Sequence, residues 1–412
     1  MLRTIRTDQL RPGMYVQRLS GAWLDHPFWR TSFVAGSDEV SRIQASDVRE
    51  LVIDTAMGAD LASLGDPMPG VQSATSNDTT PDAQRDGHAR GRPSSGHIAE
   101  ASNFEHEVRH ARSLLDAGRD AVEAMFGQVR LGHSVDADAV TPLVDAVCDS
   151  VWRNPHALVS VARLKRADDY TYLHSMAVAG LMASLARQLG LTGPEIHAAA
   201  RGGLLHDMGK AVSPLDVLNK PGHLTDAEYD TMRRHPEDGH RLLIASGVDD
   251  ATALDIALHH HERVDGTGYP HRLAGDAISR MARMAAVCDV YDAITSDRPY
   301  KRGWCPAEAL RRMASWTGHF DPAIFQTFVR SLGIYPMGTL VRLQSQHLAV
   351  VVDQSPGALL KPKVRVFHCI RRNARVLLRE LDLSAADAGD RIQQSESPAD
   401  WGLRDLDRLW LP

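Results

Sequence analysis

Two short stretches, Leu204-Leu205-His206-Asp207-Met208-Gly209-Lys210 and His259-His260-His261-Glu262-Arg263, constrain what this chain can fold into more than any other feature. In the first, an adjacent imidazole and carboxylate end an apolar helical run reaching back to Ala198; in the second, consecutive histidines follow the helical run Ile256-Ala257-Leu258. His174 opens a further apolar helix through Val178, Leu181, Met182 and Leu185, and His235 sits in Arg234-His235-Pro236, where proline marks the first turn of a helix. Asp289 lies within Ile278 to Ile294, on the face that helical spacing gives to Ala282, Ala285 and Ala293. A carboxylate aligned with small apolar residues is costly to bury unless a cation or a donor meets it. Any one of these residues alone reads as a core histidine or a hydrogen-bond acceptor. Five histidines and two aspartates at helix ends or on buried faces of one region read as a set that shares cations, so the helices carrying them must converge.

The rest of the chain places this region between two others. A length of 412 residues predicts two or three domains, and 43% hydrophobic with 24% charged residues is the composition of a globular protein. Residues 1–62 alternate short apolar runs (Met14-Tyr15-Val16, Phe33-Val34-Ala35, Leu51-Val52-Ile53) with turn chemistry, which predicts a small β-rich module. Residues 63–103 shift to Ser, Thr, Pro, Asp, Gly and Arg and predict a disordered linker. Residues 104–154 carry helical periodicity, with Val108, Ala111, Leu115, Val122 and Met125 on one face and Val140, Leu143, Val144, Val147 and Val151 on another, and read as connecting helices. The helical series then runs through residues 155–334. In residues 335–412 the runs Leu340-Val341-Arg342-Leu343, Leu348 to Val352 and Val364 to Phe367 predict a small β-rich appendage. The fold class is mainly α, a helical bundle with small β-rich pieces at both ends.

Composition excludes several classes. Cys148, Cys288, Cys305 and Cys369 show no CxxC spacing, which argues against a zinc ribbon and a disulfide framework. The formal net charge of −6 gives no reason to expect duplex nucleic acid as a partner. No apolar run approaches about 18 residues, and Met1-Leu2-Arg3-Thr4-Ile5-Arg6 lacks the core of a signal peptide, so a cytoplasmic location with no membrane span is expected.

Imidazole and carboxylate donors without thiolate suit iron, manganese, nickel or zinc. The donors outnumber the needs of one tetrahedral ion. Asp207 can offer one oxygen to each of two cations, and a two-metal hydrolytic centre acting at phosphorus is the reading these residue types support.

The order His, His-Asp, His, His-His, Asp, with Gly268-Tyr269-Pro270 after the paired histidines, resembles the HD-GYP subgroup of the HD metal-dependent phosphohydrolases. The resemblance spans roughly residues 155–335 and includes His206-Asp207-Met208-Gly209-Lys210, His260-His261-Glu262-Arg263, Asp265-Gly266 and Thr295-Ser296-Asp297-Arg298-Pro299-Tyr300-Lys301. The N-terminal module is similar, more weakly, to accessory modules joined to such domains. The resemblance implies metal ligands at His174, His206, Asp207, His235, His260, His261 and Asp289, with Asp207 as bridge and catalytic carboxylate. It implies that Lys210 points at the scissile phosphate or hydroxide, that Gly268, Tyr269 and Pro270 form a loop touching substrate, and that Arg298 and Lys301 contact substrate phosphates. The implied substrate is cyclic di-GMP, opened to linear pGpG, with GMP as a further product left open. The implied cofactors are divalent metals, iron or manganese first, with nickel or zinc as alternatives.

Some members of that subgroup carry a glutamate one turn before the first histidine, where it helps to hold a third metal; here Tyr170 stands there, so two metals per chain are expected. His259 falls outside the matched pair and is expected to be a non-ligand, and His197, His223, His240 and His271 match no role. Two other functions stay open: a receptor that binds cyclic di-GMP or a protein without turnover, and a hydrolase of another nucleotide. A diguanylate cyclase and a second copy of the chain are candidate protein partners.

Overall fold

The computed structural model describes residues 2–20, 33–37, 40, 50–59, 104–163, 170–218, 220, 223–296, 303–355, 357–403 and 405–411. The N-terminal module is a four-stranded antiparallel sheet of β1 (Leu2–Arg6), β2 (Tyr15–Ser20), β3 (Phe33–Val34) and β4 (Glu50–Asp54), in the order β1-β4-β2-β3. Ile5, Val16, Leu51 and Ile53 point to one side of it and, with Leu10 and Met14, make a small core of their own. The expected linker, residues 63–103, lies outside the described residues.

The bundle begins with α1 (Phe104–Arg130) and α2 (Thr141–Arg153), followed by α3 (Ala157–Ala162), α4 (Tyr170–Gln188) and α5 (Gly193–Leu205). It continues with α6 (Leu215–Leu218), α7 (Asp226–Met232), α8 (His235–Ala245), α9 (Ala251–His259), α10 (Arg280–Thr295), α11 (Pro306–Ser315) and α12 (Pro322–Leu332). At the centre, α4 is buried on every side from His174 to Ala186, as expected of a helix surrounded by others. The apolar stripes of α1 and α2 enter the same hydrophobic cluster as α4, α5 and α10, so these two helices are part of the bundle's core as well as connections to it.

One polar contact fixes α1 on that core. Glu107 is fully buried and accepts bonds from Arg153 Nε (2.7 Å) and Arg153 Nη2 (3.0 Å) and from Ser150 Oγ (2.8 Å). Helix starts follow local chemistry: Thr192 and Glu195 form a capping box at α5, Thr225 and Glu228 another at α7, and Asp250 caps α9.

The C-terminal piece is a five-stranded antiparallel sheet of β5 (Leu340–Leu343), β6 (His347–Asp353), β7 (Lys363–Cys369), β8 (Ala374–Asp382) and β9 (Ile392–Ser395), in the order β8-β7-β6-β5-β9. Its alternation buries both faces: Ala349 and Val351 join Val341, Val364 and Val366, whereas Leu348, Val350 and Val352 join Leu340, Phe367, Leu406 and Trp410. Arg163 ties the bundle to this sheet by donating to the Met337 carbonyl (2.9 Å) and lying over the Trp410 ring (5.7 Å). Cys148, Cys288 and Cys369 are buried free thiols, and Cys305 is a partly buried one. Among the described residues no helix is long and apolar enough to cross a membrane.

Replacing Glu107 with Ala leaves Arg153 without its carboxylate in a largely buried place, so the unfolding free energy should fall by about 3 kcal/mol. Urea denaturation of the full chain measures this, and an unchanged midpoint would remove the pair from any role in anchoring α1.

Candidate metal centre

Four helix ends and one helix interior deliver the site. His174 comes from the first turns of α4, His206 caps the C-terminus of α5, and Asp207 follows it into a short 3-10 turn, Met208–Ala211. His235 opens α8, His260 caps the end of α9 with His261 behind it, and Asp289 projects from inside α10. The 3-10 turn can lie against α8 only because residue 209 is glycine: a Cβ there would fall 1.9 Å from the His235 carbonyl oxygen and 2.5 Å from the Gly239 nitrogen. That contact sets His235 beside Asp207.

Asp207 is at the middle. Its Oδ2 faces His206 Nε2 (3.3 Å) and His174 Nε2 (3.6 Å), while its Oδ1 faces His235 Nε2 (3.3 Å) and His260 Nε2 (3.8 Å). Asp289 Oδ1 completes the first side at 3.1 Å from His174 Nε2, and His261 completes the second with its Nε2 3.1 Å from His235 Nε2. The donor atoms therefore sort into two groups on either side of one carboxylate, His174, His206 and Asp207 in one and His235, His260 and His261 in the other, each group spanning no more than 4.8 Å.

The outward nitrogens decide the tautomers. His206 Nδ1 lies 2.7 Å from the Gly203 carbonyl, His235 Nδ1 2.7 Å from the Met232 carbonyl, and His260 Nδ1 3.0 Å from the Ile256 carbonyl. A carbonyl only accepts, so each Nδ1 carries the proton and each Nε2 presents a lone pair inward. His174 is oriented the same way by Asp292, whose Oδ2 is 2.6 Å from its Nδ1.

This leaves lone pairs opposed. His235 Nε2 and His260 Nε2 are 3.3 Å apart, and buried His206 Nε2 and Asp207 Oδ1 have no hydrogen-bond partner. Such an arrangement repels itself unless a proton or a cation enters. Burial, followed by the neighbouring Lys210, holds His235 down to about 4, and burial with the neighbouring imidazoles holds His260 down to about 3, so protons do not fill the gap between these two at neutral pH; at His206 burial pushes down but the Asp207 and Asp289 carboxylates outweigh it and raise the imidazole. Asp207 and Asp289 stay ionised: burial pushes each up, but Lys210, His206 and His235 outweigh it at Asp207, and His174, His261 and His206 outweigh it at Asp289. Imidazoles aimed at shared carboxylates are the donor set of a divalent metal site, and these residues fit one.

Lys210 is buried, with its Nζ 2.5 Å from Asp207 Oδ2. The resemblance implies an ammonium aimed at a phosphate; here it is drawn to the most negative oxygen of the centre. The Gly268-Tyr269-Pro270 loop lies beside the donors, with a cis Tyr269-Pro270 bond and the Tyr269 ring 4.7 Å from that of His261. Gly268 passes so close to the preceding chain that a Cβ would meet Arg263 N at 2.4 Å and Glu262 Cα at 2.5 Å. Glu262 accepts from the amides of His271 (2.7 Å) and Leu273 (3.0 Å), which fixes the far end of the loop. His259 turns away from the centre, with its Nδ1 on Asp255 (2.7 Å) and its Nε2 near His271 (3.1 Å). His197 pairs with Asp145 at the surface. Arg298 and Lys301 lie outside the described residues.

Residues 152–324 match the family model described as HD domain, and residues 2–140 match a domain of unknown function (DUF3391). Over 412 residues the chain is 47% identical to the cyclic di-GMP phosphodiesterase PA4108 of Pseudomonas aeruginosa, covering 100% of this chain and 96% of that protein. The chain belongs to the HD-GYP family. Like its family, it is a metal-dependent phosphohydrolase, and the DUF3391 region is its accessory part. Two other HD-GYP relatives match in the catalytic region. The cyclic di-GMP phosphodiesterase response regulator RpfG of Xanthomonas campestris is 44% identical over 181 residues, 42% of this chain and 47% of that protein. The 3'3'-cGAMP-specific phosphodiesterase 1 of Vibrio cholerae is 37% identical over 164 residues, 39% of this chain and 38% of that protein.

Sequence reasoning missed the parts played by Asp292 and Glu262. Asp292 stands one helical turn after Asp289, and the rule that a ligating histidine gives its second N–H to a carboxylate was the signal for it. Exchanging Asp292 for Asn weakens the hold on His174 Nδ1, so metal affinity should drop about 10- to 100-fold with little loss of helix content. Metal titration of the stripped protein reads the first and circular dichroism the second; unchanged affinity would assign Asp292 to packing alone.

Proposed function

We propose that this protein hydrolyses cyclic di-GMP to linear pGpG, with GMP as a further product left open, at a centre of two divalent ions bridged by Asp207. The observation that carries the reading is the division of donors about that carboxylate, with two imidazoles on each of its oxygens. His174, His206 and Asp289 would hold one ion, and His235, His260 and His261 the other. When bound, two such ions supply a hydroxide at neutral pH and neutralise charge on phosphoryl oxygens. The names of the relatives support cyclic dinucleotides as the substrate class.

The chain's own residues then have separable tasks. Asp207 and Asp289 provide the negative charge that retains the cations. Lys210, 2.5 Å from Asp207, adds a positive charge at the point where a phosphoryl oxygen gains negative charge. Tyr269 keeps its proton, because burial, followed by the nearby Tyr229 and the carboxylates, pushes its pKa well above 10; it offers a ring face and a neutral hydroxyl at the mouth. Arg298 and Lys301 keep the phosphate-contact role that the resemblance implies. Tyr170, in place of a glutamate, keeps the ion count at two.

Protein loaded anaerobically with iron(II) or manganese(II) should convert cyclic di-GMP to pGpG, resolved by chromatography over time, with 3'3'-cGAMP as the competing substrate. The double variant His206→Ala with Asp207→Ala should lose turnover by at least about a thousandfold while retaining its helical circular dichroism. Retained turnover would remove these residues from the chemistry. Elemental analysis of active protein should give two ions per chain, and three would overturn the place given to Tyr170.

A further inference from the structure

Arg233 ends α7 two residues before His235 and is half-buried at the mouth of the metal centre. Its guanidinium carbon lies 4.6 Å from the centroid of the Tyr269 ring and 5.8 Å from that of Tyr229. Tyr269 in turn lies against His261. Among the described residues Arg233 forms no ion pair and no side-chain hydrogen bond, unlike Arg241 on Asp238, Arg283 on Asp321 and Arg312 on Glu308. A guanidinium held only by ring faces keeps its N–H groups unspent, and its charge stands beside the tyrosine that lies against His261.

We propose that Arg233 binds the substrate phosphate that is not being cleaved. The inference rests on the reading of a cyclic dinucleotide as substrate. Such a ring carries two phosphodiesters, and when one occupies the metal centre the other projects away from it, where Arg233 would add a cation to those that the resemblance implies at Arg298 and Lys301. Arg233 and the donor His261 both lie against the Tyr269 ring, and a guanidinium has no lone pair to give a metal, so Arg233 serves a site beside the centre and not a ligand position within it. Its planar fork can take two phosphate oxygens while its face stays against Tyr269, which a lysine cannot do. The assignment also gives the tyrosine of Gly268-Tyr269-Pro270 a second task, that of holding this cation in place.

The test compares Arg233→Gln and Arg233→Lys with the wild type on two substrates, cyclic di-GMP and bis(4-nitrophenyl) phosphate, which has one phosphate only. For Arg233→Gln the KM for cyclic di-GMP should rise about tenfold or more, the loss of a charged hydrogen bond. Its kcat should stay within about threefold, since uniform binding is what is removed. Arg233→Lys should recover part of the affinity, and neither variant should change turnover of the small diester. An unchanged KM for cyclic di-GMP, or an equal loss on both substrates, would overturn the proposal, the second because it would mark Arg233 as a support of the loop. If the wild type cleaves the small diester but no cyclic dinucleotide, the substrate reading fails instead. Arg233 is then decided by competitive inhibition of small-diester turnover by pGpG, which Arg233→Gln must weaken if the proposal stands.

Discussion

Everything at the centre of this protein depends on one buried carboxylate facing imidazoles from both of its oxygens. Asp207 is reached by His174 and His206 on one side and by His235 and His260 on the other, so four helices are referred to a single side chain. The geometry requires backbone proximity before it requires any side chain. The 3-10 turn after Asp207 must touch the start of α8, and Gly209 against Gly239 is how it does. A Cβ at residue 209 would separate His235 from Asp207 and split the donor set into unrelated pieces.

Such a centre is a liability for folding until it is occupied. Inward lone pairs on His206, His235 and His260 face each other or an ionised carboxylate, and two of these buried atoms lack a hydrogen-bond partner. The surrounding bundle offsets that cost by holding four of the five rings from behind: carbonyls of Gly203, Met232 and Ile256 fix three, and Asp292 fixes a fourth. Rings held in this way lose little freedom when a cation arrives, and binding free energy then adds to the stability of the whole bundle.

Much of this was legible in the chain because the chemistry is tied to helix ends. The apolar run before His206-Asp207, the proline after His235 and the run before His260-His261 each placed a donor at a terminus, and the terminus is where backbone carbonyls are available to orient a ring. The β-rich pieces were legible from period-2 alternation, visible in Leu348 to Val352, where successive residues enter opposite faces of the C-terminal sheet. What periodicity does not encode is which terminus meets which. Glu262 was within a recognised string, yet its function as the acceptor for two amides nine and eleven residues on depends on the path of the intervening loop. Arg233 gave no signal beyond a basic pair, because a guanidinium on a ring looks in sequence like any surface arginine.

The same reasoning explains why the aromatic of the Gly268-Tyr269-Pro270 loop has to be a large ring with a retained proton. It lies against a partly buried ligand-type imidazole, His261, and against a cation, Arg233. A carboxylate there would neutralise Arg233 and compete for the metals, and an aliphatic residue would leave the guanidinium without a face to lie on. A neutral ring attracts the cation through its quadrupole without adding a charge to the centre. With ions held as proposed, the loop would adjoin two positive regions, the centre and Arg233, and an anion with two charged groups would gain from both. On the proposed reading a diester with a second phosphate would be favoured, because a mononucleotide would meet only one of the two regions.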